Sequence, residues 1–197
     1  MRRNNLLLPV FILALATLMV LPACSVNVKK EANGQDKQVD IKTFAGGIHV
    51  SNEADVSDVG ITVYPGAHPK PKESYGDNKS ANVNISGFGY GIKVVALEYE
   101  SDDAPAKVIA FYKDQLKKYG DVLECHTAKE LVVNPSIGSH GSDGDSHELT
   151  CDGDTGPNTE LKVGRKDDQH IVAVKSEAKG SSFSLVYVRT HDKGAEI

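Results

Sequence analysis

The chain has 197 residues, with 22 Lys and Arg against 27 Asp and Glu, which gives a formal net charge of −5 at pH 7. Nucleic-acid binding depends on cationic side chains that neutralise phosphates, so this acidic composition argues against a nucleic-acid partner. The length fits one domain that buries its own core, and a single domain is the expected architecture.

The N-terminus has the layout of a secretory signal. Arg2 and Arg3 form a short basic region, and an apolar run follows from Leu6 to Leu21. A helix that spans a bilayer needs about 20 apolar residues, and Pro9 interrupts this run. The pattern therefore predicts a cleaved signal peptide rather than a permanent membrane helix.

The apolar run ends in the sequence Leu21-Pro22-Ala23-Cys24. This stretch resembles the lipobox of bacterial lipoproteins. The resemblance implies a signal peptide of residues 1–23, a diacylglycerol on the Cys24 thiol, and a further acyl chain such as palmitate on its amine. It also implies a location in the bacterial cell envelope, where Ser25 rather than Asp favours the outer membrane facing the periplasm. The alternatives are an ordinary secreted protein with a stray cysteine and a signal anchor.

Two cysteines remain after Cys24. Cys125 and Cys151 form an even pair in an exported chain, and this predicts a disulfide bond that closes a loop of some 27 residues. A metal site or a reactive thiol is the alternative, because His126 follows Cys125 and further histidines lie in the loop. Neither cysteine belongs to a C-x-x-C pair, and the histidines lack a compact ligand spacing, so we expect no metal.

The first part of the mature chain reads as a linker followed by strands. Residues 24–38 are polar, and we expect a flexible tether there. From residue 39 the alternation in VDIKTFAGGIHVS predicts a hairpin that is broken at Gly46-Gly47. Pro65-Gly66 has the residue order of a type II turn. Two further strands are expected at about 81–86 and 92–100, and the GFGYG between them is a hairpin turn rather than a phosphate-binding loop, since a strand follows it.

One helix is expected at about 103–119. Asp102 or Asp103 is the predicted N-cap, Pro105 suits the first turn, and Gly120 suits the C-terminal end. Its predicted core-facing stripe has helical spacing and contains Val108, Ile109, Tyr112, Leu116 and Tyr119.

Strands dominate the remainder of the chain. DVLECHTAKELVV predicts a strand that carries Cys125, residues about 134–146 form a disordered loop, and HELTCDGD predicts a short strand that carries Cys151. TELKVG, HIVAVKSE and FSLVYVRT predict three closing strands. The expected fold class is therefore α+β, a single domain of residues 39–197 with an antiparallel sheet packed on one main helix and preceded by the hairpin segment.

Part of this domain is similar to a group of uncharacterised bacterial lipoproteins. These proteins carry a YPGA turn upstream of a helix of the form D-x-P-x-K-V-x-x-F-Y-K. The resemblance implies the same envelope location and the same domain, and it implies no reaction. The matching residues are Tyr64, Pro65, Gly66, Ala67, Asp103, Pro105, Lys107, Val108, Phe111, Tyr112 and Lys113.

No catalytic motif stands out. The chain has no G-x-S-x-G and no H-E-x-x-H, and its acidic loops, with Asp143, Asp145, Asp152 and Asp154, do not complete a calcium-binding pattern. We expect a lipid-anchored, non-enzymatic binding or structural protein without a cofactor. Its expected partners are the membrane, through the lipid on Cys24, and an envelope protein or cell-wall component. The alternative is a small hydrolase or thiol enzyme that uses Cys125 with His126.

Overall fold

A computed structural model describes residues 24–30, 36–70, 80–128, 147–151 and 155–191. These residues form a ten-stranded antiparallel sheet packed against one main helix, which confirms the predicted fold class. The strands are β1 Ser25–Lys30, β2 Asp36–Thr43, β3 Gly46–Ser51, β4 His68–Pro69, β5 Ser80–Gly87, β6 Tyr90–Ser101, β7 Leu123–Thr127, β8 Asn158–Arg165, β9 Asp168–Ser176 and β10 Ser181–His191.

The strand order is β1-β2-β3-β5-β6-β10-β9-β8-β7, and β4 pairs with the far end of β6. The N-terminal strands therefore lie on one side of the long central pair β6 and β10, and the C-terminal strands lie on the other. The predicted hairpin segment does not precede the domain as a separate unit, because β3 pairs with β5 and continues the same sheet.

The main helix, α2, is Pro105–Leu116, and a 3-10 turn Lys117–Tyr119 follows it. Val108, Tyr112 and Leu116 are buried as the helical spacing predicts. The N-cap prediction is wrong: Ala104 caps the helix without a side-chain hydrogen bond. Proline disfavours helical geometry in the residue before it, so Pro105 places the N-cap at Ala104, one residue beyond Asp103.

A short helix, α1 (Val56–Val59), completes the helical layer. Helix α2 packs on β8, β9 and β10, and α1 packs on β6 and β10. We call the side of the sheet that they cover the helix face and the opposite side the outer face. The core between the layers consists of Val59, Ile61, Val95, Leu97, Tyr99, Val108, Tyr112, Leu116, Leu161, Val163, Val172, Val174, Phe183 and Leu185.

The turn after Val63 has the predicted type II geometry. Gly66 has φ 79°, and the Ala67 N–H donates to the Tyr64 carbonyl at 3.1 Å. The hydroxyl of the fully buried Tyr112 accepts a hydrogen bond from the Tyr64 N–H at 2.9 Å. The YPGA turn and helix α2, which carry the resemblance to the uncharacterised lipoproteins, are therefore joined by a hydrogen bond.

The N-terminal hairpin turns two residues earlier than predicted. Phe44 and Ala45 form the turn, and Gly46 and Gly47 belong to β3. Gly46 has φ 155°, and a Cβ on it would meet the Ser86 carbonyl oxygen at 2.0 Å. The glycine thus permits β5 to approach β3, which is a different requirement from making the turn.

Residues 25–30 and 36–38 of the predicted flexible tether are strand instead, because they form β1 and the start of β2. Val26 and Val28 alternate with polar residues in β1, and this alternation is a strand signal that the polar composition masks. The segment 147–151 is no strand, although it does bring Cys151 beside β7 as predicted. The predicted signal peptide of residues 1–23 and the predicted loop of residues about 134–146 lie outside the described residues.

Candidate functional site

Cys24 is exposed and immediately precedes β1. Ser25 pairs with Lys42 on β2, next to the Phe44–Ala45 turn, so the sheet begins directly after the predicted lipid attachment point. An acyl group on Cys24 would hold one corner of the sheet close to the membrane surface. None of the helices in the described part of the chain is long and apolar enough to cross a bilayer.

The structure contains the predicted disulfide bond between Cys125 and Cys151. Their Cα atoms are 5.5 Å apart, within the usual range for a disulfide, and the bridge spans 26 residues of sequence. It fastens the segment 147–151 to β7, the edge strand of the sheet. The Lys162 ammonium group reinforces this attachment through a hydrogen bond to the Thr150 carbonyl at 3.3 Å.

The geometry does not favour the thiol-enzyme alternative. A disulfide-bonded Cys125 has no thiolate to act as a nucleophile. Cys125 and His126 are also consecutive residues of β7, and successive side chains of a strand point to opposite faces of the sheet. Cys125 is buried while His126 is exposed, so the imidazole is not positioned to activate the sulfur.

A cleft of about 620 Å³, which the sequence did not predict, lies between α1 and the ends of β8, β9 and β10. His170 stacks on Tyr119 with ring centroids 4.0 Å apart and contacts Tyr187 at 4.9 Å. Burial lowers the pKa of the His170 imidazole, although the nearby Asp168 carboxylate opposes this shift. The ring of His170 is already hydrogen-bonded to the backbone of Val59, so the neutral imidazole keeps its other nitrogen to accept a hydrogen bond from a ligand in the cleft.

One sequence signal does point to this histidine. His170, Val172 and Val174 alternate along β9, so the strand period places His170 on the helix face, among core residues. A polar side chain in such a position must either find a partner or border a cavity. The surrounding HIVAV pattern reads as an ordinary strand, and this hides the position of His170 beside a cleft.

Metal-binding groups are not assembled in the described residues: no three His, Cys, Asp or Glu side chains lie close enough together to hold an ion. The aspartates that we considered for calcium, at positions 143, 145, 152 and 154, lie outside the residues that the structure describes.

The chain matches no protein family, no curated protein and no solved structure in sequence or fold comparisons. The relation to uncharacterised lipoproteins therefore stays a prediction from the quoted residues.

Proposed function

We propose that this protein is a lipid-anchored component of the bacterial cell envelope that serves as a non-enzymatic binding or structural module. The observation that carries the proposal is the position of Cys24, which ends a lipobox-like sequence and stands exposed at the first residue before the folded sheet. Two or three acyl chains on one residue give a stable anchor, whereas a single chain binds only marginally.

The disulfide supports an exported location. Structural disulfides persist in oxidising compartments such as the periplasm and are rare in a reducing cytosol. The bond between Cys125 and Cys151 thus agrees with the route that a signal peptide of residues 1–23 would give the chain. With Ser25 after the lipid-bearing cysteine, we propose the outer membrane facing the periplasm as the destination.

A binding role fits the chemistry of the described residues better than catalysis. The cysteine that could have acted as a nucleophile is oxidised, and the partly buried imidazole of His170 stacks on Tyr119 and contacts Tyr187. An envelope protein or a cell-wall component is the proposed partner, and the cleft beside His170 is a surface where it could bind.

Anchoring is tested by metabolic labelling with a radioactive or alkyne fatty acid, together with the mass of the mature N-terminus. We expect a mature chain that starts at Cys24, carries label and partitions into detergent. The Cys24→Ser variant should lose the label and either stall before cleavage or leave the membrane fraction. As a matched control, Ser25→Asp should keep the label and shift the protein towards the inner membrane. Normal cleavage and membrane partition of the Cys24→Ser variant would refute the lipoprotein assignment.

A further inference from the structure

The outer face of the N-terminal half of the sheet carries two continuous rows of branched apolar side chains. The register joins one row across five strands through Val26, Ile41, Ile48, Ile85 and Ile92. A second row runs beside it through Val28, Val39, Val50, Val83 and Val94. We call these two rows the outer apolar face.

Much of the outer apolar face is open to solvent. Val26 is 64% exposed, and Ile48, Val50 and Ile85 are each close to 40% exposed. Among the described residues, the side of this face nearest to β10 packs against other residues of the sheet, in a cluster around Val94, Val186 and Val188. Isolated apolar residues on a protein surface are ordinary, but contiguous patches mark interaction sites.

The opposite side of the same strands is polar. The row between the two apolar ones points to the helix face and contains Asn27, Asp40, His49, Asn84 and Lys93. Asp40 and His49 are joined at 2.6 Å, and this contact lowers the pKa of the Asp40 carboxyl. A sheet with one face in water normally turns its polar side outwards and its apolar side to the core. These strands are amphipathic in the reverse sense, since their apolar side faces away from the helical layer.

Aromatic residues extend the apolar surface at one end of the sheet. The Phe44–Ala45 turn and the Phe88–Gly89 turn lie side by side, and the Phe88 N–H donates to the Ala45 carbonyl at 3.1 Å. The side chains of Phe44, Phe88 and Tyr90 are 81%, 77% and 63% exposed. An apolar groove of about 350 Å³ runs from these turns to the first row of the outer apolar face. Because Ser25 pairs with Lys42 beside the same turns, Cys24 stands at this end as well.

The backbone conformation at Phe88 disfavours a bulky side chain, so folding stability does not account for an aromatic residue at this position. Phe88 has φ 53° and Gly89 has φ 86°, the combination of a two-residue type I′ hairpin turn. Asn is the favoured residue at the first of these positions, and a bulky side chain with positive φ is a genuine outlier. Such strain concentrates at functional sites, where a side chain is retained for a role other than stability.

We propose that the outer apolar face and the aromatic turns at its end dock into the acyl region of the membrane that holds the Cys24 lipid. The docking rests on the proposed lipid anchor. Once the anchor is inserted, the second contact becomes intramolecular and needs little affinity of its own. Apolar and aromatic side chains beside a lipidated residue supply the buried area that strengthens interfacial attachment.

A second copy of the chain fits this surface less well. Five strands at about 4.8 Å spacing and two side-chain rows give a flat area on the order of 300 Å² per copy. A stable protein interface buries roughly 800 Å² on each partner.

The chain has no tryptophan, so one introduced tryptophan is a specific fluorescent reporter. The test uses the acylated mature protein, with its mass verified, in phosphatidylcholine vesicles whose acyl chains are brominated. Phe88→Trp should show blue-shifted emission and at least about twofold quenching by the brominated lipid, and Phe44→Trp provides the same reading at the neighbouring turn. Lys179→Trp is the matched control, because residue 179 is exposed at the opposite end of the sheet, and its emission should not respond.

The fluorescence results decide whether the outer apolar face contacts the membrane, a second copy of the chain or neither. Quenching at positions 88 and 44 without quenching at 179 supports docking. Equal, unquenched emission at all three positions in an acylated chain overturns docking and leaves the anchor intact. A blue-shifted but unquenched reporter together with cross-linked dimers overturns it in favour of a second copy. A chain without acyl groups refutes the anchor and the docking together. Phe88→Asn in the Phe44→Trp chain should reduce quenching while the melting temperature stays level or rises, since Asn relieves the positive φ.

Discussion

The disulfide bond gives the sharpest prediction about stability. Cys125 lies in β7, which among the described strands pairs with β8 alone, and the bridge to Cys151 is a covalent tie on this edge strand. Removal of both sulfurs with Cys125→Ala and Cys151→Ala should free the unfolded chain to open a loop of about 27 residues. The chain-entropy relation gives a loss of about 12 cal/mol/K for closing such a loop, or about 3.5 kcal/mol at 25 °C. For a domain of this size that loss corresponds to a melting temperature lower by about 7–14 °C.

The assay is thermal unfolding followed by circular dichroism, with and without a phosphine reductant. Reductant should lower the melting temperature of the wild-type chain nearly as far as the double substitution does, because both remove the same cross-link. The double variant is its own control and should not respond to reductant. If reductant shifted both chains equally, or if the double variant lost less than about 1 kcal/mol, the bridge would not be constraining the unfolded state as we argue.

Three other expectations concern the helix face. Leu116→Ala should lower the free energy of unfolding by about 2–5 kcal/mol because Leu116 is fully buried. Lys117→Ala, on the exposed side of the helix, should change it by less than about 0.5 kcal/mol. Equal losses in urea titrations of the two variants would contradict the assigned core. Tyr112→Phe should cost about 1–3 kcal/mol, since it leaves the Tyr64 N–H without its acceptor while the aromatic packing persists; an unchanged urea midpoint would show that water replaces the hydroxyl. Burial lowers the pKa of His170 in the folded state, so the unfolded chain binds the extra proton first, and stability should fall as the pH drops through about 6.5 towards the folded pKa. His170→Phe should flatten that part of the stability profile, and an unchanged slope would assign it to other groups.

The sequence by itself determined the elements and their faces where the period is clear. Helix α2 follows from the spacing of Val108, Tyr112 and Leu116, and the type II turn follows from Pro65-Gly66, because both depend on local geometry alone. The disulfide could be predicted because the predicted export and the even number of remaining cysteines leave few alternatives. Cys24 could be assigned a role only by resemblance, since lipid attachment is read by processing enzymes and not by the fold.

Tertiary structure decided which side of each strand meets the core. Strand β6 is apolar on both sides, with Val95 and Leu97 on one and Ile92 and Val94 on the other, so alternation could not say which pair faces the helix. That choice fixes the neighbouring strands through their register, because a shift of one residue would move every side chain to the opposite face. The exposure of the outer apolar face, and its place beside Cys24, follow from pairings between residues that lie far apart in the chain, which no local pattern encodes.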